Sequence, residues 1–229
     1  MGWPAGRQTS GLEGRPGQPV LPFFVSLAKR SSHPQAKGPA DGREEDDMFL
    51  RTERLFLRPA WIEDSAELAR AIGHQAVARM LARVPWPYGI EDARDWISTP
   101  RDPSLPNFLV TLPDEGGRIV GGCGLHLNEG QVEAGYWIEP DSWGRGYASE
   151  ALRGLVSLAH LAGHRRLVSR HAADNPASGR VLRKAGFVPT GRIGPILSAG
   201  RGSRIEAPEY ALELGQDDGP QDAPMPKAA

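Results

Sequence analysis

A glycine-rich segment, residues 143–150, holds the residues of this chain best suited to bind an anion. It reads Trp-Gly-Arg-Gly-Tyr-Ala-Ser-Glu and lies between a predicted strand and a predicted helix. Glycine lets the backbone approach a ligand without a Cβ in the way, and the unpaired N–H groups at a helix N-terminus attract negative charge. Arg145 can add a charge-assisted contact. The segment therefore predicts a diphosphate site, although a tight turn whose glycines only permit the bend fits the spacing equally well.

Two common nucleotide-binding motifs do not fit this segment. It lacks the Lys-Ser/Thr pair of a P-loop and the third glycine of a dinucleotide fingerprint. A phosphotransferase that uses Mg²⁺ and a nucleoside triphosphate is therefore disfavoured.

Residues 131–138 are predicted to form the strand before this segment. The period of a strand separates side chains into two faces. One face carries Val132, Ala134, Tyr136 and Ile138, and the other carries Glu133, Gly135 and Trp137. After the segment, the pattern predicts a helix from Ala148 through Ala159, a strand at 167–170, a helix at 175–185 closed by Gly186, and a last strand at 209–214.

The first half of the chain adds further elements to the same sheet. The pattern predicts a strand at 55–59, helices after Asp64, near 77–81 and at 91–97, and two strands at 108–112 and 119–127 that form a hairpin. The chain is therefore predicted to be an α/β (α+β) domain in which helices pack on a mixed sheet.

The ends of the chain have a different composition. Residues 1–47 are rich in glycine and proline and show no periodicity, so we expect a disordered leader. A strand-like segment follows Met48 at once, which suggests the hypothesis that translation begins there. We expect a single domain over residues 48–214 and a flexible tail over 215–229.

Charge and cysteine content exclude several classes of function. Lys and Arg together number 27 against 28 for Asp and Glu, so no basic field predicts binding to nucleic acid or to an anionic membrane. No apolar stretch approaches the roughly 20 residues of a membrane helix. Cys123 is the only cysteine, which excludes multi-cysteine zinc sites and suits the reducing cytoplasm. His160 and His164 lack a third ligand at metal-binding spacing, so no metal is predicted.

Several ordered blocks of this sequence resemble a known family. They are Gly-Tyr-Trp-Ile at 135–138, the segment 143–151, Asn-Pro-Ala-Ser at 175–178 and Lys-Ala-Gly-Phe at 184–187. Together with residues 51–58 and 87–97, they resemble the ribosomal-protein N-terminal acetyltransferase branch of the GNAT superfamily. The resemblance spans about residues 51–214 and implies the GNAT fold, a central mixed, mostly antiparallel twisted sheet flanked by helices.

The resemblance implies acetyl-CoA as the cosubstrate and assigns residues to it. The thioester would lie near Trp137 and Ile138. Asn175 is predicted from its position to cap the following helix, with Pro176 at the first helical position, and the resemblance adds a polar contact to the cofactor. Trp143 replaces a Gln or Arg of the general superfamily pattern, which shifts the diphosphate contacts onto backbone amides. The diphosphate would be bound by Gly144, Arg145, Gly146, Tyr147, Ala148 and Ser149.

The resemblance also implies a reaction, the direct attack of an amine on the thioester. Glu133 is the candidate base, directly or through water, and a backbone N–H near Ile138 would stabilise the oxyanion. Ser178 is the candidate acid for the departing thiolate, with water as the alternative. The acceptor is a protein N-terminus or a small amine. A noncatalytic acetyl-CoA-binding module is the alternative function, and a homodimer is left open.

Overall fold

The computed structural model describes residues 24–29 and 46–215 of the 229. Nine strands form one sheet in the order β1-β2-β3-β4-β5-β6-β7-β9-β8. Neighbouring strands are antiparallel apart from the parallel pair β6 and β7, so the predicted mixed, mostly antiparallel sheet is confirmed. The strands are β1 (Phe24–Lys29), β2 (Asp46–Arg51), β3 (Phe56–Arg58), β4 (Asn107–Leu112), β5 (Arg118–Asn128), β6 (Gln131–Ile138), β7 (Arg166–Arg170), β8 (Val188–Ser198) and β9 (Ser203–Glu213).

Helices cover the sheet on both faces. The core of one face includes the buried leucines Leu152, Leu155, Leu158 and Leu182, and the core of the other includes Leu68. The apolar positions that predicted the long helix after the glycine-rich segment are therefore its buried side. The helices are α1 (Ser65–Ile72), α2 (Gln75–Ala78), α3 (Ile90–Ser98), α4 (Tyr147–Leu161) and α5 (Pro176–Lys184).

Strand β6 has the two faces that its sequence predicts. Tyr136 and Ile138 belong to the core beneath α4 and α5. Trp137 packs against the opposite core, which α1 and α3 cover. Consecutive side chains of β6 therefore pack into the two cores on opposite faces of the sheet.

The structure differs from the sequence prediction at both ends of the sheet. Phe24–Lys29 forms β1, antiparallel to β2, where a disordered leader is predicted. The segment contains Phe24, Val25 and Leu27, which are favoured in strands, and the edge of β2 offers unpaired backbone groups. Residues 1–23, 30–45 and 216–229 lie outside the described residues. At the other edge, β8 extends to Ser198, because β9 pairs with it on both sides of an irregularity between Pro189 and Ile193, despite several glycines and prolines in β8.

Candidate active site

A cleft opens where β6 and β7 separate. The two strands run parallel and are paired at Glu133 and Val168, and the hydroxyl of Ser169 donates to the carbonyl oxygen of Ala134 at 2.8 Å. β7 ends at Arg170, whereas β6 continues to Ile138. The last part of β6 therefore borders a gap in the sheet, which leads into a cleft of about 1100 Å³.

Backbone groups of β6 face this gap. The N–H of Glu139 donates to Val120 of β5 at 2.8 Å, so the backbone groups of Glu139 and of every second residue before it point toward β5. By alternation, the N–H groups of Tyr136 and Ile138 point away from β5. Backbone N–H groups at the end of β6 thus face the cleft.

The glycine-rich segment forms the turn that leads into α4. Gly144 and Gly146 have φ values of 77° and 84°, in the left-handed region that glycine adopts without strain. Gly146 is the N-cap, and the first helical hydrogen bond runs from the N–H of Glu150 to the carbonyl oxygen of Gly146 at 3.1 Å. The N–H groups of residues 147–149 therefore have no preceding helical carbonyl to bond, and the positive end of α4 faces the cleft.

Glu150 holds this turn to the loop between β2 and β3. Its carboxylate accepts from the Thr52 hydroxyl at 2.6 Å and from the Arg54 guanidinium at 2.8 Å. Arg54 also donates to the carbonyl oxygen of Arg145 at 3.0 Å. Burial raises the pKa of Glu150, but the hydrogen bonds from Thr52 and Arg54 lower it more, so the net shift is downward. The turn is therefore fixed by a buried charged group that the sequence analysis did not single out.

Trp143 braces the end of β6. Its indole N–H donates to the carbonyl oxygen of Ile138 at 2.6 Å, although the residue is 53% exposed. This bond occupies the Ile138 carbonyl and leaves the Ile138 N–H as the group that faces the gap. Trp143 thus has a structural contact within the turn.

The N-terminus of α5 forms the second wall of the cleft. The side chain of Asn175 accepts from the N–H of Ser178 at 3.3 Å, so the predicted N-cap is confirmed. The Ser178 hydroxyl lies 2.6 Å from the phenol oxygen of Tyr136. Burial raises the pKa of Tyr136 to about 12. Ser178 of α5 therefore contacts the protonated phenol of a residue on β6.

Glu133 lies on the other face of β6, where it is surrounded by polar groups. Its side chain is 12% exposed, and it accepts from the Asn128 amide at 2.8 Å. The Arg170 guanidinium lies 3.8 Å away and the His126 imidazole 3.9 Å away. The carboxylate is thus held in place at the start of the gap.

The predicted site residues meet in one place. Glu133, Ser178, Trp137, Ile138 and Asn175 all line the cleft. The Arg145 side chain is exposed and does not line it, so the structure does not bring the predicted charged contact to the others. The residues of the turn that line the cleft are Gly144, Gly146, Tyr147, Ala148 and Ser149.

Cys123 and His164, which were not assigned to the site from the sequence, have defined surroundings in the structure. Cys123 is buried within the core, and burial raises the pKa of its thiol to about 12. The His164 ring lies 2.7 Å from the carbonyl oxygen of Ser104. Within the described part of the chain, no cluster of three potential metal ligands occurs.

The sequence profile of the GNAT acetyltransferase domain matches residues 54–188, which include the turn, β6 and α5. The chain belongs to the GNAT acetyltransferase family. It is thus an acetyl-CoA-dependent N-acetyltransferase. None of the helices within residues 46–215 has the length and apolar content that a membrane span requires.

Known proteins similar to this GNAT chain agree with that assignment. The uncharacterized N-acetyltransferase p20 of Bacillus licheniformis is 28% identical over 151 residues, which cover 63% of this chain and 84% of the relative. A GNAT-family acetyltransferase from Bacillus anthracis has a similar fold, with a TM-score of 0.63, 24% identity and coverage of 73% of this chain and 99% of that one. RimL, a ribosomal L7/L12 alpha-N-protein acetyltransferase solved with coenzyme A, has a TM-score of 0.58 at 20% identity, with coverage of 71% and 96%.

The GNAT cleft fits acetyl-CoA, the cosubstrate of the family. Backbone N–H groups at the start of α4 suit a diphosphate. No atom lies within 4 Å of the position that a Cβ would take at Gly144, so the backbone there is open to a ligand. The gap beside Tyr136 and Ile138 offers backbone partners to a molecule that carries amides.

Proposed function

We propose that this protein transfers the acetyl group of acetyl-CoA to a primary amine, at a protein N-terminus or on a small molecule, by direct attack of the amine on the thioester. One observation carries the proposal. The cleft joins the N-terminus of α4, the N–H of Ile138 that points away from β5, and the carboxylate of Glu133. These groups supply anion binding, oxyanion stabilisation and a proton acceptor.

Residues 144–149 hold the diphosphate of acetyl-CoA in this proposal. Several main-chain N–H groups act together, since a single helix dipole interaction contributes only about 0.3–1 kcal/mol when exposed. Asn175 adds a polar contact at the start of α5. Glu150 and Arg54 keep the turn in the binding geometry without touching the ligand.

The N–H of Ile138 stabilises the oxyanion that forms as the amine attacks. A fixed amide stabilises developing charge without reorganisation, and the loss of one such donor typically costs about 10²–10³-fold in kcat. The hydrogen bond from Trp143 to the carbonyl of the same residue fixes the peptide chain at this point. Trp137 borders the thioester on the opposite face of β6.

Glu133 promotes loss of the proton from the attacking amine, directly or through an intervening group. An α-amino group has a pKa of about 7.7–8.0, against about 10.4 for lysine, so an α-amine reaches its neutral form more easily near neutral pH. This difference favours a protein N-terminus or another weakly basic amine as the acceptor. The alpha-N-protein specificity in the name of the RimL neighbour agrees with that acceptor class.

Ser178 donates the proton that the departing thiolate requires. It lies at the first turn of α5, where the end of the helix also favours a negative charge. No tyrosine occurs in α5, and the only phenol that contacts Ser178 within the described residues is that of Tyr136. Ser178 is therefore the hydroxyl of α5 that lines the cleft.

A paired assay tests the proposal against the noncatalytic alternative. Thiol release from acetyl-CoA is measured over a panel of N-terminal peptides and small amines, and coenzyme A binding is measured by calorimetry. We expect binding together with thiol release on at least one α-amine, and Glu133→Gln should lower kcat with little change in the dissociation constant. Binding without release on any acceptor would instead identify a binding module.

A further inference from the structure

His126 of β5 lies beside Glu133 of β6 at the cleft. The two residues are directly paired across β5 and β6, so their side chains share one face. The His126 side chain is 32% exposed and that of Glu133 is 12% exposed, and both line the cleft. The imidazole is therefore the more accessible of the two side chains.

The space beside the imidazole is open because the next residue on that face of β6 is Gly135. A Cβ at Gly135 would lie 3.9 Å from Cε1 of the His126 ring and would meet no other atom within 4 Å. A side chain at this position would occupy the space in which an acceptor can approach. The thioester neighbourhood at Trp137 follows two residues farther along the same face.

The Glu133 carboxylate is already engaged by other groups. Asn128 donates to it at 2.8 Å, and Arg170 lies 3.8 Å away. Arg170 is itself bound by Glu209 at 3.0 Å. The Glu133 carboxylate is therefore already hydrogen-bonded and ion-paired within the protein.

Burial and three neighbouring charged groups shift the pKa of His126. Burial lowers its pKa most, Arg83 and Arg170 lower it further, and Glu133 raises it, with a net shift below the ordinary value. The imidazole is thus neutral at physiological pH and carries a free lone pair.

We propose that His126 is the group that accepts the proton of the acceptor amine, with Glu133 stabilising the imidazolium that results. This inference rests on the proposed function and names the group between Glu133 and the acceptor. The attacking nitrogen forms its bond to the thioester carbonyl carbon and loses one proton to a nitrogen of His126. The carbon–sulfur bond breaks and Ser178 gives its proton to the thiolate. His126 then releases its proton to solvent, and Ser178 regains a proton from solvent.

The test compares the wild-type chain with His126→Ala, His126→Gln and the control His74→Ala, whose histidine is exposed and does not line the cleft. Turnover of a primary-amine acceptor is measured between about pH 5 and about pH 9, with and without added imidazole. Coenzyme A affinity is measured by calorimetry. The expected result is a loss of about 10²-fold in kcat for both His126 variants, unchanged affinity, and partial recovery of His126→Ala by imidazole.

The pH profile separates a proton acceptor from a structural role. At low pH, log kcat/KM of the wild type should rise with a slope of about two, because both the amine and His126 must lose a proton, whereas His126→Gln should retain a slope of about one. Unchanged turnover, or a loss with the wild-type slope and no imidazole recovery, would overturn the inference and leave the proposed function intact. A wild-type chain that acetylates no amine would overturn both.

Discussion

The phenol oxygen of Tyr136 lies 2.6 Å from the hydroxyl oxygen of Ser178 and 3.0 Å from the carbonyl oxygen of the same residue. This contact ties β6 to the first turn of α5 across the mouth of the cleft. Because burial raises the pKa of Tyr136 to about 12, the phenol stays protonated at neutral pH and can donate. Tyr136 is thus placed to orient Ser178.

Replacement of these two residues should have different effects on catalysis. Ser178→Ala should lower kcat by about 10²-fold with little change in acetyl-CoA affinity, since the proposed proton donor is lost. Tyr136→Phe removes only the orienting hydrogen bonds and should cost about 1 kcal/mol of stability with a smaller loss of kcat. Steady-state kinetics and thermal unfolding check both values. Ser157→Ala, on the exposed side of α4, is the control, and equal turnover in Ser178→Ala and this control would remove Ser178 from the mechanism.

The backbone of the turn can be tested with two glycines of similar geometry. Gly144 and Gly163 have φ values of 77° and 85°, and a Cβ at either position meets no atom within 4 Å. Alanine at each should cost about 1 kcal/mol for the left-handed backbone, seen as a fall of about 2–4 °C in Tm. Gly144→Ala should also weaken coenzyme A binding by about tenfold, because its Cβ enters the space assigned to the diphosphate. Equal coenzyme A affinity in the two variants would contradict the assigned cradle.

The Glu150 cluster predicts an acid-sensitive stability. The folded-state pKa of Glu150 lies below its ordinary value, so the charged form stabilises the fold above the unfolded pKa, and this contribution is lost as the pH falls through the folded pKa. The Tm difference between wild type and Glu150→Gln should therefore be largest near neutral pH and shrink below about pH 5. Glu91→Gln, which removes an exposed ion pair with Arg94, should show little difference at any pH. A Glu150→Gln difference that is constant with pH would contradict the prediction.

Cys123 should be unreactive in the folded protein. Burial raises the pKa of its thiol to about 12, and the thiolate is the reactive form. A thiol reagent should therefore label the chain only after unfolding, and coenzyme A should slow labelling near the unfolding temperature. Rapid labelling of the native protein would show that β5 opens locally.

The sequence predicts most of the sheet because its periodicity is a local property. Strand β6 has the predicted bounds and the predicted faces, and α5 begins one residue after the predicted cap. β1 was missed because its pairing depends on β2, about 20 residues away, rather than on its own composition. The extent of β8 was missed for the same reason, since prolines and glycines reduce its intrinsic strand preference.

The geometry of the candidate site was predictable where it depends on the backbone and less so where it depends on side-chain contacts. The turn at 144–149 follows from its glycines. The contacts of Glu150 with Thr52 and Arg54 join residues almost 100 positions apart, so no local pattern reveals them. The pairing of His126 with Glu133 was hard to find, because the two-residue turn that fixes this register has Glu129 at a φ of 51°, where Asn, Asp or Gly is usual.

β6 and β7 separate in the middle of the sheet, so the gap lies between two inner strands and not at an edge. A molecule with amide groups that binds in this gap can hydrogen-bond to the backbone of Tyr136 and Ile138. It would then link the two parts of the sheet. Resistance to heat should therefore track the concentration of acetyl-CoA, since a ligand that binds only the native form shifts unfolding by mass action. We expect bound acetyl-CoA to stabilise the sheet in this way.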